Sequence, residues 1–322
     1  MPPAVVVDAA GGQIGGAARF KVELHRYLAH TGRQDVRIIG AERQVDPAWL
    51  LRREAARPTG GRRIALNNVS FVGPGGERWA LLRNPLDFLT EDEKVALEPA
   101  QQPANQRRAS IVHLAARRAD VLVVPSAGMA RRVTRTLPGL TDRVVVRHHP
   151  VSADSIPHLP PEPGILCPVL FSPHKGMLER ITDLLTAIDD VADAAVRLRV
   201  TADQEEVPAG LAHHPRIDVV GRLSHKALGE MWARSQAIYF PTEIESFGYP
   251  LAEARVHGQP VIALDNEQNR EVAGDALCGF IAGRLDTLRC ANERALTTEV
   301  APDPAPFDPG AYFGWLLGPC TR

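Results

Sequence analysis

The sequence of 322 residues predicts an α/β protein of two doubly wound domains in tandem, facing a central cleft. Three observations carry that expectation. Short apolar runs alternate with helix-period segments along most of the chain. A proline-dense stretch, HHPVSADSIPHLPPEPG, interrupts the alternation around residues 148–165, and the pattern restarts beyond it. The two sides also differ in charge: residues 1–150 hold 23 Lys and Arg against 14 Asp and Glu, and the remainder holds 14 against 24.

The elements follow in order. AVVVD reads as a buried strand, and the Gly-rich turn after it opens the periodic helix AARFKVELHRYLAHTG, with Gly32 as its stop. DVRIIG is a second strand. VSFVGPGGERWALLRN reads as two short strands joined by a Gly-Pro-Gly-Gly turn, hence a hairpin. A helix through ANQRRASIVHLAARRAD leads into the strand VLVVPS, another helix follows, and RVVVRHH is a further strand. The prolines that come next cannot sustain a helix or a central strand, so residues 151–164 form the linker. GILCPVLFS then restarts the strands. GMLERITDLLTAIDDV is an amphipathic helix with apolar residues at Leu178, Ile181, Leu184, Leu185 and Ile188. AAVRLRVTA, RIDVVG, AIYFPT and PVIAL supply more strands, with helices near 224–235 and 250–257. This gives a domain over 1–150, a second over 165–300, and a proline-rich arm over 301–322 whose short aromatic helix packs back on the first.

Composition excludes several classes. No apolar run approaches the ~20 residues that span a bilayer. The start carries Asp8 and no basic segment, so no signal peptide is read there. Cys167, Cys278, Cys290 and Cys320 lie far apart without a CxxC pair, which predicts reduced thiols in a cytoplasmic protein and no structural zinc. Aromatics make up 5% of the chain and no basic tract is interleaved with them, which argues against nucleic acid as a partner. The basic first half suits an anionic acceptor or an acidic lipid surface, or is simply solvated. Arginines 107, 108, 117 and 118 flank an apolar helical stretch; an ordinary surface helix is preferred there over peripheral membrane contact.

The most informative stretch is PTEIESFGYPLAEARVHGQPVIAL, residues 241–264. Glu245 and Glu253 are eight apart, a spacing that 19 glutamates produce about once by chance. Context gives it content. AIYFPT is a strand end, where open α/β sheets bind ligands. Pro250 suits the start of a helix and Gly258 its end, which puts Glu253 in the first helical turn and Glu245 in the loop before it. Amides of Phe247, Gly248 and Tyr249 would then face an anion, and a carboxylate matches a vicinal diol with two charge-assisted hydrogen bonds. The bland alternative has Glu253 complementing the helix dipole and Glu245 in solvent.

E-S-F-G-Y-P-L-A-E-A-R-V-H-G-Q-P-V-I-A resembles the E-x7-E segment of retaining GT-B glycosyltransferases, family 4 above all. The resemblance implies two facing Rossmann-like domains, acceptor half first and nucleotide-sugar half second. It implies that Glu245 contacts the donor hexose, helped by Ser246, Phe247, Gly248 and Tyr249, and that Glu253 holds the ribose diol. LFSPHKGMLER (170–180) places Ser172, His174 and Lys175 at a strand end, and a family Lys-Gly lysine binds the donor diphosphate, which supports Lys175. The arginine the family carries five or six residues earlier is replaced by Val169 or Leu170, so a second phosphate cation must come from elsewhere, with Arg19 a candidate. DAAGGQIGGAARF (8–20) is not a dinucleotide fingerprint, since Gln13 takes the middle glycine's place. It matches the family's Gly-Gly loop and raises Gly15, Gly16 and Arg19 as diphosphate neighbours; a packing turn is the alternative. VVGRLSHKALGEMW offers Arg222 and Leu223 beside the base. LLRNPLDF, where the family often has a histidine, offers Arg83, Asn84 and Asp87 on the acceptor side. NEQNREVAG resembles the loop near the donor sugar, with Asn266 and Asn269 as contacts. His113, His148 and His149 read as structural.

No two aspartates are separated by one residue, so the DxD metal clamp is missing and a metal-independent site without a cofactor is expected. The partners implied are a UDP- or GDP-linked hexose and a small-molecule or lipid acceptor. The Arg-rich, Lys-poor usage fits natural-product biosynthesis. Three rivals stand beside this reading: a catalytically silent relative, separated by donor binding without turnover; a nucleotide-sugar 2-epimerase, separated by its product; and a dinucleotide oxidoreductase, separated by a spectral change with NAD(P).

Overall fold

The computed structural model describes residues 4–58, 61–95, 102–157, 159–160, 162–168, 177–189 and 196–318. The chain divides into two compact units, Met1–Pro150 with Asp308–Arg322, and Val151–Phe307. Each is built on a parallel sheet of six strands.

In the first unit the strands are β1 (Val5–Asp8), β2 (Val36–Ile39), β3 (Arg62–Ala65), β4 (Glu77–Leu81), β5 (Val121–Val124) and β6 (Val144–Val146), ordered β2-β1-β3-β4-β5-β6. The helices between them are α1 (Gly15–Thr31), α2 (Pro47–Arg52), α3 (Glu91–Val95), α4 (Gln102–Ala116) and α5 (Ala127–Thr136). Near-continuous Val, Ile and Leu in β1 and β5 suit strands covered on both faces. Gly32 ends α1 in the left-handed conformation, φ 62°, as the glycine stop predicts.

The expected hairpin over 69–84 is not formed. Glu77–Leu81 pairs in parallel with Arg62–Ala65 instead, and residues 69–76 are not strand. Two arginines hid β3 from a hydropathy reading. Arg63 is wholly buried; it pairs with Glu54 at 3.2 Å, donates to the Gly73 carbonyl and lies 4.9 Å from the Phe71 ring centroid. Phe71 is buried because it covers guanidinium groups, with Arg53 4.6 Å away as well.

In the second unit the strands are β7 (Glu162–Cys167), β8 (Leu198–Val200), β9 (Ile217–Val219), β10 (Ser235–Phe240), β11 (Val261–Leu264) and β12 (Leu277–Phe280), ordered β12-β11-β10-β7-β8-β9. The helices are α6 (Met177–Asp189), α7 (Ala209–Ala212), α8 (His225–Arg234), α9 (Tyr249–His257), α10 (Glu267–Ala273) and α11 (Leu285–Thr297). β7 is central yet starts inside the proline stretch. Pro163 is tolerated because the β7–β10 register shifts at that end, between Ser235 and Ala237. Along α6, Met177, Ile181, Leu184, Leu185 and Ile188 enter the core, whereas Leu178 is exposed.

After Phe307 the chain returns to the first unit as α12 (Pro309–Leu317). Phe313 meets Phe20 and Tyr27, Trp315 meets Trp79, and Arg62 donates to the carbonyls of Trp315 and Leu316 at 2.9 and 3.0 Å. Each such aromatic pair contributes about 0.5–1.5 kcal/mol beyond its burial.

Candidate functional site

Because all strands of the second sheet run parallel, their C-terminal ends share one edge. There β10 passes through residues 241–248 into α9. This connection is almost wholly buried: Thr242, Ile244, Ser246 and Phe247 are all under 9% exposed, while Glu243 is exposed and Glu245 half-buried. A buried loop needs its backbone groups satisfied, and a carboxylate and an arginine help here. The Ser246 amide donates to Glu245 Oε1 at 3.0 Å. Arg180 of α6, nearly buried, donates to the Pro241 carbonyl at 3.1 Å and pairs with Glu243, and the Tyr239 hydroxyl donates to the Arg180 carbonyl at 2.8 Å.

Gly248 turns the chain into α9 with φ 82° and ψ 78°. A Cβ there would lie 2.9 Å from Leu251 Cδ1 and 3.1 Å from Phe240 Cε1, so both conformation and space demand glycine. Phe247 packs edge-on against Tyr249 at 5.3 Å and Phe307 at 6.0 Å. Gly258 closes the helix in the left-handed region, as expected. One expectation is corrected: α9 begins at Tyr249, its first turn holds no acid, and Glu253 lies in the second turn, half-buried. The dipole-complementing alternative for Glu253 loses its basis, since that effect falls off within the first turn.

Other residues singled out from the sequence fall in different settings. Arg222 and Leu223 follow β9 on the same sheet edge. The Arg222 guanidinium is taken up by Glu206 and by Asp203 at 3.6 Å, and Leu223 is half-buried. Asn266 and Asn269 are not in a loop. Asn266 caps α10 by accepting from the Asn269 amide at 2.9 Å, and buried Asn269 donates to the Leu264 carbonyl at 2.8 Å. Asx capping chemistry explains both. Ser172, His174 and Lys175 lie outside the described residues.

In the first unit, Gly15 and Gly16 open α1 and are exposed; Gly15 has φ 63°. Arg19, one turn on, is nearly buried and pairs with fully buried Glu23 at 2.7 Å. Its charge is therefore committed to Glu23, which removes the basis for Arg19 as the substitute phosphate cation. Arg83 follows β4, donates to the Leu66 carbonyl, and lies 5.0 Å from the Phe20 ring centroid. Asn84 caps a short 3-10 turn by accepting from the Leu86 amide at 3.1 Å. Asp87 is buried and bound by Arg108 Nε at 2.7 Å; burial raises its carboxyl above the usual carboxylate range against the pull of Arg108. Asp87, Asn105, Gln106, Ser110 and His113 are among the polar residues lining a cavity of about 330 Å³. His149 lies among Phe20 and Tyr312, and burial, with Arg83 and His148 adding, pushes its imidazole well below the ordinary range. A neutral, buried ring fits the structural role read for it.

Sequence reasoning missed the residues that hold the Gly-rich loop. Asp8, at the end of β1, is fully buried and accepts from Arg53 Nη1, Trp49 Nε1 (3.0 Å), Asn67 Nδ2 (2.8 Å) and the Ala10 amide (3.1 Å). Lys21 Nζ donates to the Gly11 carbonyl at 2.9 Å, and burial together with nearby Arg83 lowers its pKa. Asn68, with φ 67°, is the one described non-glycine residue in the left-handed region; its Oδ1 accepts from the Arg83 amide at 2.6 Å. Polar residues at a strand end were the available signal, but their partners sit 41 to 59 residues away.

Comparison with known proteins places this geometry. Residues 170–295 match the family model described as glycosyl transferases group 1. No curated protein sequence matches the chain. Among solved structures, WaaG, a glycosyltransferase involved in lipopolysaccharide biosynthesis, is 15% identical with TM-score 0.67, covering 91% of this chain and 90% of its own. Sucrose-phosphate synthase from Thermosynechococcus elongatus is 15% identical with TM-score 0.66, covering 98% and 95%. AviGT4, a glycosyltransferase involved in avilamycin A biosynthesis, is 15% identical with TM-score 0.60, covering 96% and 93%. Residues 170–295 therefore form a group 1 glycosyltransferase domain, and the protein that carries it is a glycosyltransferase of the GT-B fold.

Proposed function

We propose that the protein moves a hexosyl unit from a UDP- or GDP-linked sugar to an acceptor hydroxyl on a small molecule or lipid, with retention of configuration and without a metal. The second unit takes the donor and the first takes the acceptor. The observation that carries this reading is the 241–248 connection, a buried, glycine-turned loop that leaves Glu243 and Glu245 as its more accessible side chains, followed by Glu253 one turn into α9. Glu245, with Ser246, Phe247, Gly248 and Tyr249, grips the hexose; Glu253 takes the ribose diol, and Arg222 and Leu223 flank the base. The acceptor oxygen attacks the anomeric carbon as its bond to the diphosphate breaks. The acceptor proton passes to the departing phosphate oxygen, on the same face. Lys175, Ser172 and the Gly15–Gly16 loop stabilise the growing charge on that phosphate.

A catalytically silent, donor-binding relative is the second reading, favoured by Leu170 and Val169 where the family has arginine and by the commitment of Arg19 to Glu23. Thermal shift against UDP- and GDP-sugars, followed by a donor-turnover assay, separates the two, because a bound donor raises the melting temperature by mass action. Stabilisation with turnover supports transfer, and stabilisation without turnover supports the silent relative. No stabilisation by either nucleotide at millimolar concentration refutes both. Glu245→Gln and Glu253→Gln should each weaken donor binding.

A further inference from the structure

We propose that the exposed face of α4 docks on an anionic lipid surface. The helix is packed the reverse of an ordinary amphipathic one. It gives the core Val112, Ala115 and Ala116, while its two larger aliphatic side chains stay outside: Ile111 is 50% exposed and Leu114 66%. Arg107, Ile111, Leu114 and Arg118 follow one another at four, three and four residues, so they form a single stripe, and all are exposed. The apolar pair is thus bracketed by guanidinium groups, with exposed Arg117 beside them.

Charge selects the occupant. Residues 102–119 contain four arginines and no Asp or Glu. The acids next to this segment are engaged elsewhere: Asp87 is bound by Arg108, and Asp120 by Arg78 at 2.8 to 3.0 Å. Arg143 donates to the Ala119 carbonyl at 2.9 Å and to the Arg117 carbonyl at 3.3 Å, which brings a further cation to the helix end; Asp142 is its neighbour in sequence. Long arginines that keep their charge at the phosphates while two aliphatic side chains enter the acyl boundary match a helix lying in a membrane interface. The docking is electrostatic first and does not depend on which sugar is transferred.

The test is sedimentation of the full chain with vesicles of phosphatidylcholine alone, and of phosphatidylcholine and phosphatidylglycerol in equal parts. The protein sediments with the mixed vesicles at low salt, stays in solution with phosphatidylcholine, and is released by salt. Arg107→Ser/Arg117→Ser/Arg118→Ser weakens binding on the order of 100-fold, and Ile111→Ser/Leu114→Ser about tenfold. Both variants keep the wild-type melting temperature, because the replaced side chains are exposed. Failure of the wild type to sediment with mixed vesicles overturns the proposal, as does binding of only a soluble acidic protein. Wild-type affinity in either variant overturns it too.

Discussion

Gly248→Ala measures how rigidly the β10–α9 junction is set. Two costs add. A residue with a Cβ held at φ 82° pays about 1–2 kcal/mol for the left-handed conformation. The new methyl also meets Leu251 Cδ1 at 2.9 Å and Phe240 Cε1 at 3.1 Å, and both side chains are buried; overfilling a packed core costs about 1–3 kcal/mol. The sum is about 2–5 kcal/mol. Gly283 provides the internal control, since it has φ 72° and nothing within 4 Å of its Cβ position. Gly283→Ala should therefore carry the conformational part alone, about 1–2 kcal/mol. At roughly 2–4 °C per kcal/mol for a domain of this size, calorimetry should show a drop of roughly 6–12 °C for Gly248→Ala and less than half of that for Gly283→Ala. Equal shifts in the two variants would refute the packing argument, and no shift in Gly248→Ala would refute the fixed junction altogether.

Three more outcomes are expected. Asp8→Ala leaves Arg53 buried without its acid and should destabilise by about 3–5 kcal/mol, read from urea midpoints; a change within error would show that the network is dispensable. Arg180→Ala removes the hold on Pro241 and Glu243 and should raise the donor KM while lowering stability by about 1.5–3 kcal/mol; a fall in stability with unchanged KM would separate Arg180 from the site. The third concerns pH. The imidazole of His149 titrates well below the ordinary value of 6.5 in the folded protein, so the unfolded chain binds the proton first as pH falls. The contribution of this group is fully present above pH 6.5 and declines below it, by up to about 1.4 kcal/mol per pH unit. His149→Gln should flatten the loss of stability between pH 6.5 and 5, and parallel curves for variant and wild type would contradict this.

What could be read from the chain depended on how local its cause was. Uniformly apolar strands such as β1, β5 and β11 were legible, and so was the β10–α9 junction, because Pro250 and Gly258 mark a helix start and stop by their own backbone limits. β3 was hidden by Arg63, whose burial depends on Glu54, Phe71 and Gly73 and cannot be inferred from its neighbours. α10 was read as a loop because its first residues are Asn-rich, although the same side chains cap it. At the candidate site the Glu245–Tyr249 run was legible through its pattern. Asp8 was not, since the groups that give it meaning, Trp49, Arg53 and Asn67, become neighbours only when β1, β3 and α2 are assembled.

The return of α12 to the first unit has a kinetic consequence. On a ribosome, residues 151–307 emerge complete and can reach their native state while the preceding segment still lacks the ring partners of Phe20 and Trp79, which are encoded last. The amino-terminal portion must wait, with Phe20 and Trp79 uncovered, until synthesis nearly ends. Biogenesis of this enzyme therefore runs from the middle outward, and the aromatic segment at the tail acts as the latch that finishes it.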